Sequence, residues 1–151
     1  MCSSDLFLVV DARITATDRI DGERRITVTA RVRNDTPTGL GPYAAGPSPL
    51  TDVAEGEYAG VLTFDVPAWA RSIRLEGADA IQTRGRDGPA RMVAGNFRVA
   101  RGATRTLTLR FDLPQGRTRL SVRPSARVPA TAWHHGSTTW RDEEQIGRAH
   151  V

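Results

Sequence analysis

A chain of 151 residues with net charge +4, one cysteine, and 21 basic residues that are all arginine has room for a single core and no material for a disulfide framework. Its charge is modest and spread along the sequence rather than gathered into a basic stretch, so nucleic acid is not an expected partner. No apolar run approaches the ~20 residues of a membrane span, so membrane contact is expected only through an anchor outside this sequence.

The two ends mirror each other at the level of DNA. Met1 to Leu6, written with a GTG start, is encoded by GTG TGC TCT TCC GAT CT, and the reverse complement encodes Ile146-Gly147-Arg148-Ala149-His150. That string is a common sequencing-library adapter. Residues 1–6 and 146–151 are therefore expected to be adapter-derived scars, to be set aside in fold reasoning. Setting them aside removes Cys2 and His150, and with Cys2 go thiolate catalysis and cysteine-ligated metals. The absence of lysine beside abundant Ala, Gly and Pro fits a GC-rich genome.

Taken in order, the first predicted element is a hairpin. Val10, Ala12, Ile14 and Ala16 alternate with Asp11, Arg13, Thr15 and Thr17, and Ile26, Val28, Ala30 and Val32 alternate with Thr27, Thr29, Arg31 and Arg33. Period two means half-buried strands, and Asp21-Gly22 between them supplies the turn. From Asn34 to Gly56 the pattern lapses into a Pro- and Gly-rich stretch longer than an ordinary unstructured loop. It reads as a crossover between two sheets, with Tyr43 pinned on the sandwich edge, or as a binding loop.

Tyr58 to Val66 predicts a strand ended by Pro67, and three short strands follow at Ile73/Leu75, around Ile81, and from Met92 to Val99. Leu107, Leu109, Phe111 and Leu113 then alternate with Thr106, Thr108, Arg110 and Asp112 before Pro114-Gln115-Gly116, with Leu120 and Val122 beyond. This predicts a second hairpin. No segment combines helical apolar spacing with caps, so the expected fold is all-β: an immunoglobulin-like two-sheet β-sandwich of about eight antiparallel strands, with a small barrel as the alternative. The expected domain occupies residues 7–128, and 129–145 is a tail or an edge strand.

Few residue sets suggest chemistry. His134 and His135 are adjacent, so on an extended segment they point to opposite faces and do not share an ion. Asp65, Asp79, Asp87 and Asp112 are expected on turns or outward faces rather than as an acid/base pair. No Gly-rich phosphate loop precedes a helix. No catalytic residue, cofactor or metal is therefore expected. Arg13, Arg31 and Arg33 would project from the outer face of the first hairpin and Arg117, Arg119 and Arg123 from the last strand, making a basic stripe if those edges abut. Such a stripe suits anionic glycans, teichoic-type polymers or lipid headgroups, against the plainer reading of an ordinary charged sheet face. Trp69, Trp133 and Trp140 suit stacking on sugar rings or buried packing.

Three motifs carry a family resemblance. Val32-Arg33-Asn34-Asp35-Thr36-Pro37 closes the amphipathic hairpin, Gly39-Leu40-Gly41-Pro42-Tyr43 follows it with Gly41 in place of a usual proline, and Thr106-Leu107-Thr108-Leu109-Arg110-Phe111 precedes Leu120-Ser121-Val122-Arg123-Pro124. Over residues 8–128 the chain resembles the C-terminal β-rich region of the domain of unknown function 4012 family of actinobacterial envelope proteins. The resemblance implies an extracytoplasmic location and no known activity. It also implies a larger N-terminal region as the nearest partner. The expected function is thus a noncatalytic extracytoplasmic scaffold or interaction module of a cell-envelope protein, partnered by its own upstream region, cell-wall polymer or another envelope protein. The alternatives are a glycan- or anionic-polymer-binding module and the accessory domain of an envelope enzyme.

Overall fold

The computed structural model describes residues 6–45, 52–117, 119–123, 129–142 and 148–150. The first hairpin forms as its alternation dictates. β1 (Leu8–Asp18) pairs antiparallel with β2 (Arg24–Asn34) from Leu8 opposite Asn34 to Asp18 opposite Arg24, with no slip in register. The turn closes on Gly22 at φ 75°, where the Arg19 N–H donates to the Glu23 carbonyl at 2.9 Å.

β7 (Thr104–Leu113) joins the other edge of β2, and β4 (Arg71–Glu76) joins β7. Past β1, β9 (Ala132–His135) pairs in parallel over four positions and β10 (Thr138–Arg141) folds back on β9. The result is a six-stranded sheet ordered β10-β9-β1-β2-β7-β4. A three-stranded sheet, β3-β6-β5, is made by β3 (Tyr58–Pro67), β5 (Ala80–Asp87) and β6 (Ala90–Val99). The chain passes from the larger sheet to the smaller between β2 and β3 and again between β4 and β5; of the expected crossover, residues 34–45 and 52–56 are described and 46–51 lie outside the described residues. The described part carries one helical turn, α1 (Pro42–Ala45); the Tyr43 side chain lies outside the described residues.

One core joins the two sheets. Leu8, Val10, Ile14, Ile26, Val32, Leu107, Leu109 and Phe111 from the larger sheet and Val93, Phe97 and Val99 from the smaller belong to a single buried cluster. Ile26, Leu107 and Leu113 are 0 % exposed. Burial of each such side chain stabilises by roughly 1.5–3 kcal/mol, which is how a chain without disulfides holds together. Gly95 allows the close approach of the β4–β5 connection, since a Cβ there would lie 2.6 Å from the Ala78 Cβ and 2.9 Å from Leu75 Cδ2. The fold is an all-β two-sheet sandwich with no closed barrel.

Two expectations are corrected. β8 (Arg119–Ser121) does not pair with β7 as a second hairpin; it pairs with β11 (Arg148–His150) in a separate two-stranded sheet. The reason is edge occupancy, because β2 and β4 take both sides of β7. Leu120 still reaches the core, at 8 % exposure. Nor is every pairing antiparallel, since β9 runs with β1.

The buried polar residue Asn34 ties the sandwich at one end. Its Nδ2 donates to the Gly56 carbonyl at 2.8 Å and to the Val99 carbonyl at 2.9 Å, and its Oδ1 accepts from the Thr36 N–H at 3.0 Å and the Thr36 hydroxyl at 2.6 Å. Its backbone joins the β6–β7 turn, donating to Ala103 O at 3.0 Å and accepting from Gly102 N at 2.8 Å. Asparagine supplies two donors and an acceptor on one short stem, and all are used.

Candidate functional site

Alternation in β1, β2 and β7 sends one set of residues to the core and the other to the outer face of the six-stranded sheet. Registers turn that set into rows. Arg13 stands opposite Thr29, which stands opposite Thr108, which stands opposite Glu76. Through β9 and β10 the same row continues from Arg13 to His134 and Thr139. The next rows hold Thr15, Thr27 and Arg110 on one side, and Asp11, Arg31 and Thr106 on the other. The face is built of threonine and charge, backed by a fully buried layer.

Most of its charges are tied. Arg110 grips Glu76 at 2.6 Å, and Arg33 donates twice to Asp35, at 2.8 and 2.6 Å. Arg33 is therefore held as a cation, its pKa raised by the Asp35 hydrogen bond and charge. His134 Nε2 meets Asp11 Oδ2 at 2.8 Å and His134 Nδ1 meets Thr139 Oγ1 at 3.1 Å. Arg31 stands opposite Asp11, and Arg13 sits on the adjacent strand diagonally from Arg31. Among the described residues Arg13 and Arg31 have no carboxylate partner in contact.

Of the three arginines expected outward, all are exposed on this face, but they are not equivalent: Arg33 is neutralised by its neighbour, while Arg13 and Arg31 flank the Asp11–His134 pair. The edge pairing on which a stripe with Arg117, Arg119 and Arg123 depended is not seen among the described residues, where β8 pairs with β11 in another sheet. Arg117 instead lies 5.2 Å over the Trp69 ring. His134 and His135 do take opposite sides, and His135 Nδ1 meets the Ile14 carbonyl at 3.1 Å. Sequence reasoning missed His134 as a member of the face, because no local signal announces the parallel β1–β9 pairing; the phase of Asp11 and Arg13 was the part of it that could be read.

The carboxylates do not converge. Asp79 accepts the Arg98 N–H at 3.0 Å and pairs with Arg105 at 2.6 Å, and Asp65 stands opposite Met92. The Asp87 side chain lies outside the described residues. Asp112 departs from expectation. It lies on the outer side of β7 but is 2 % exposed, capped by Arg25 at 2.8 and 3.1 Å. The Arg25 hydrogen bonds hold its pKa below the usual carboxylate range against the opposing effect of burial, and Ser72, at φ 52°, adds a further hydrogen bond. Among the described residues no group of three His, Cys, Asp or Glu side chains gathers as a metal site.

One open depression of about 350 Å³ lies on the outer face of the smaller sheet, between Ala59, Val61, Ala80 and Asn96, with Asp79 and Arg98 at its rim. Its charged groups are engaged: besides the Asp79 bond, Arg98 donates to the Asp52 carbonyl at 2.7 Å. The three tryptophans pack against the core, and Trp133 and Trp140 stack on each other at 6.2 Å and 9° rather than offering free faces as a pair. Comparison with protein-family models and with curated proteins found no match to this chain.

Proposed function

We propose that this chain is a noncatalytic interaction module of a cell-envelope protein, working outside the cytoplasm, and that the outer face of its six-stranded sheet is the surface that meets the partner. The observation that supports it most is the state of the charges on that face. Arg25, Arg33 and Arg110 are each locked to a carboxylate, while among the described residues Arg13 and Arg31 have none in contact and stand on a buried backing. A fixed, shallow, polar face suits recognition of an extended surface better than chemistry on a small molecule, which calls for a concave pocket with convergent groups. The envelope location rests on the resemblance drawn from the Asn34-Asp35-Thr36 and Gly39 to Tyr43 motifs.

The unpaired arginines favour an anionic polymer of the cell wall as the partner. Purified walls retaining their anionic polymer should sediment the chain at low salt and release it as salt screens the charges. Arg13→Glu with Arg31→Glu should weaken sedimentation about tenfold or more, whereas Arg33→Glu, whose charge Asp35 already offsets, should weaken it less. Undiminished binding of the double variant would refute the face. Recovery of the full-length protein in the cytoplasmic fraction of its own cells would refute the location.

A further inference from the structure

We propose that β5 is the acceptor edge for an extended acidic segment of another protein, which adds to the three-stranded sheet as a fourth strand. Among the described residues β5 hydrogen-bonds to β6 on one side and to no strand on the other. Every residue from Ala80 to Arg86 is exposed, and among the described residues no other part of the chain pairs with that edge. A row of free N–H and C=O groups is a template for strand addition.

The side chains specify what kind of strand. Arg86 stands directly opposite Arg91 on β6, and Arg84, two residues back, shares their side of the sheet. Like charges directly opposite each other destabilise a sheet. The chain holds another such pair, Arg74 opposite Arg110, but Glu76 neutralises Arg110 at 2.6 Å. No such relief is seen for Arg84, Arg86 and Arg91 among the described residues. Among the described residues none of the three forms an ion pair, and the Arg91 guanidinium donates only to the Ala70 carbonyl, at 3.0 Å.

Three exposed arginines on one side of a free edge also decide between occupants. A second copy pairing through β5 would bring the arginines of both copies together, so the charges reject self-association. A strand with carboxylates at alternate positions would set them beside Arg84 and Arg86, while small residues between them would meet Thr83 and Gly85 on the other side. The free backbone favours a peptide over a phosphate or sugar polymer, which has no strand to pair.

The test uses the full 151-residue chain and a fluorescent Thr-Glu-Val-Glu-Thr-Glu peptide, followed by anisotropy and by amide shifts. The peptide should bind with shifts concentrated in β5, and Lys in place of Glu should abolish binding. N-methylation of alternate peptide bonds should abolish it too, and Arg84→Glu with Arg86→Glu should weaken it about tenfold or more while leaving the circular dichroism unchanged. Arg84→Gln with Arg86→Gln gives the intermediate case if charge reversal perturbs the edge. Absence of binding, binding indifferent to N-methylation, or linear polyphosphate matching the peptide in affinity would each overturn the proposal.

Discussion

Asp112 on β7 and Arg25 on β2 are 87 residues apart in sequence and joined by two hydrogen bonds, at 2.8 and 3.1 Å, that leave the carboxylate 2 % exposed. The cation lowers the Asp112 pKa. A depressed carboxylate contributes stability that is fully present above its unfolded value of about 3.9 and is lost as pH falls through the folded value. The urea midpoint should therefore drop on acidification below about pH 4, and Asp112→Asn should flatten that drop. The two partners are also unequal. Arg25→Met leaves a buried carboxylate without its hydrogen-bonded cation, while Asp112→Asn leaves an arginine whose side chain is 40 % exposed to water. At pH 7 the Arg25 variant should unfold at lower urea than the Asp112 variant, and the gap should close in acid.

Asn34 gives the largest polar effect we expect. Removing its amide in Asn34→Ala leaves the Gly56 and Val99 carbonyls and both Thr36 donors without their partner in a site that is 0 % exposed. That should cost about 4 kcal/mol in urea titrations. Thr36→Val loses a single hydroxyl bond and should cost about 1 kcal/mol, and equal losses for the two variants would contradict the network.

What local pattern carries explains why these pairs were hidden. In β1, β2 and β7, period two names the face of each residue, and Ile26, Val28, Val32, Leu107 and Leu109 are buried as their phase requires. Phase says nothing about edges. It could not show that β4 fills the side of β7 that β8 was expected to take, nor that β9 returns over a hundred residues later to lie along β1. The same limit applies to the candidate face: Arg13, Arg31 and Arg33 were legible as outward, but their unequal standing depends on Asp35 and His134. Asp112 looked like a solvated surface charge because Arg25 covers it from a strand whose register the sequence does not print.

Glycines at positive φ separate conformational strain from crowding. Gly77 at φ 85° and Gly102 at φ 74° both favour glycine, but a Cβ on Gly77 would run into the Thr106 carbonyl, whereas one on Gly102 meets open space. Gly102→Ala should cost about 1 kcal/mol, the strain of a left-handed residue. Gly77→Ala must in addition push β4 away from β7 and should cost about 3 kcal/mol or more, with backbone amide shifts spreading into Leu75 and Leu107. Equal costs would show that the clash relaxes freely.

The β9–β10 hairpin is held to the sheet by little backbone, four pairs to β1, so its tryptophans should decide whether it stays. Trp133 and Trp140 stack at 6.2 Å against the core, and the Trp133 indole N–H donates to Asp142 at 2.6 Å. Trp140→Ala removes the stack and part of the apolar cover, about 2 kcal/mol for half-buried rings. Because that exceeds what four short pairs return on their own, the loss should be local rather than global. Amide exchange should quicken from Ala132 to Arg141 and along the outer edge of β1, while β2 and β7 keep their protection. A bared β1 edge then invites other chains, so the variant should show concentration-dependent association by light scattering where the parent does not. Uniform loss of protection through β2 and β7 would mean that the hairpin belongs to the core's cooperative unit, and that the larger sheet needs all six strands to fold.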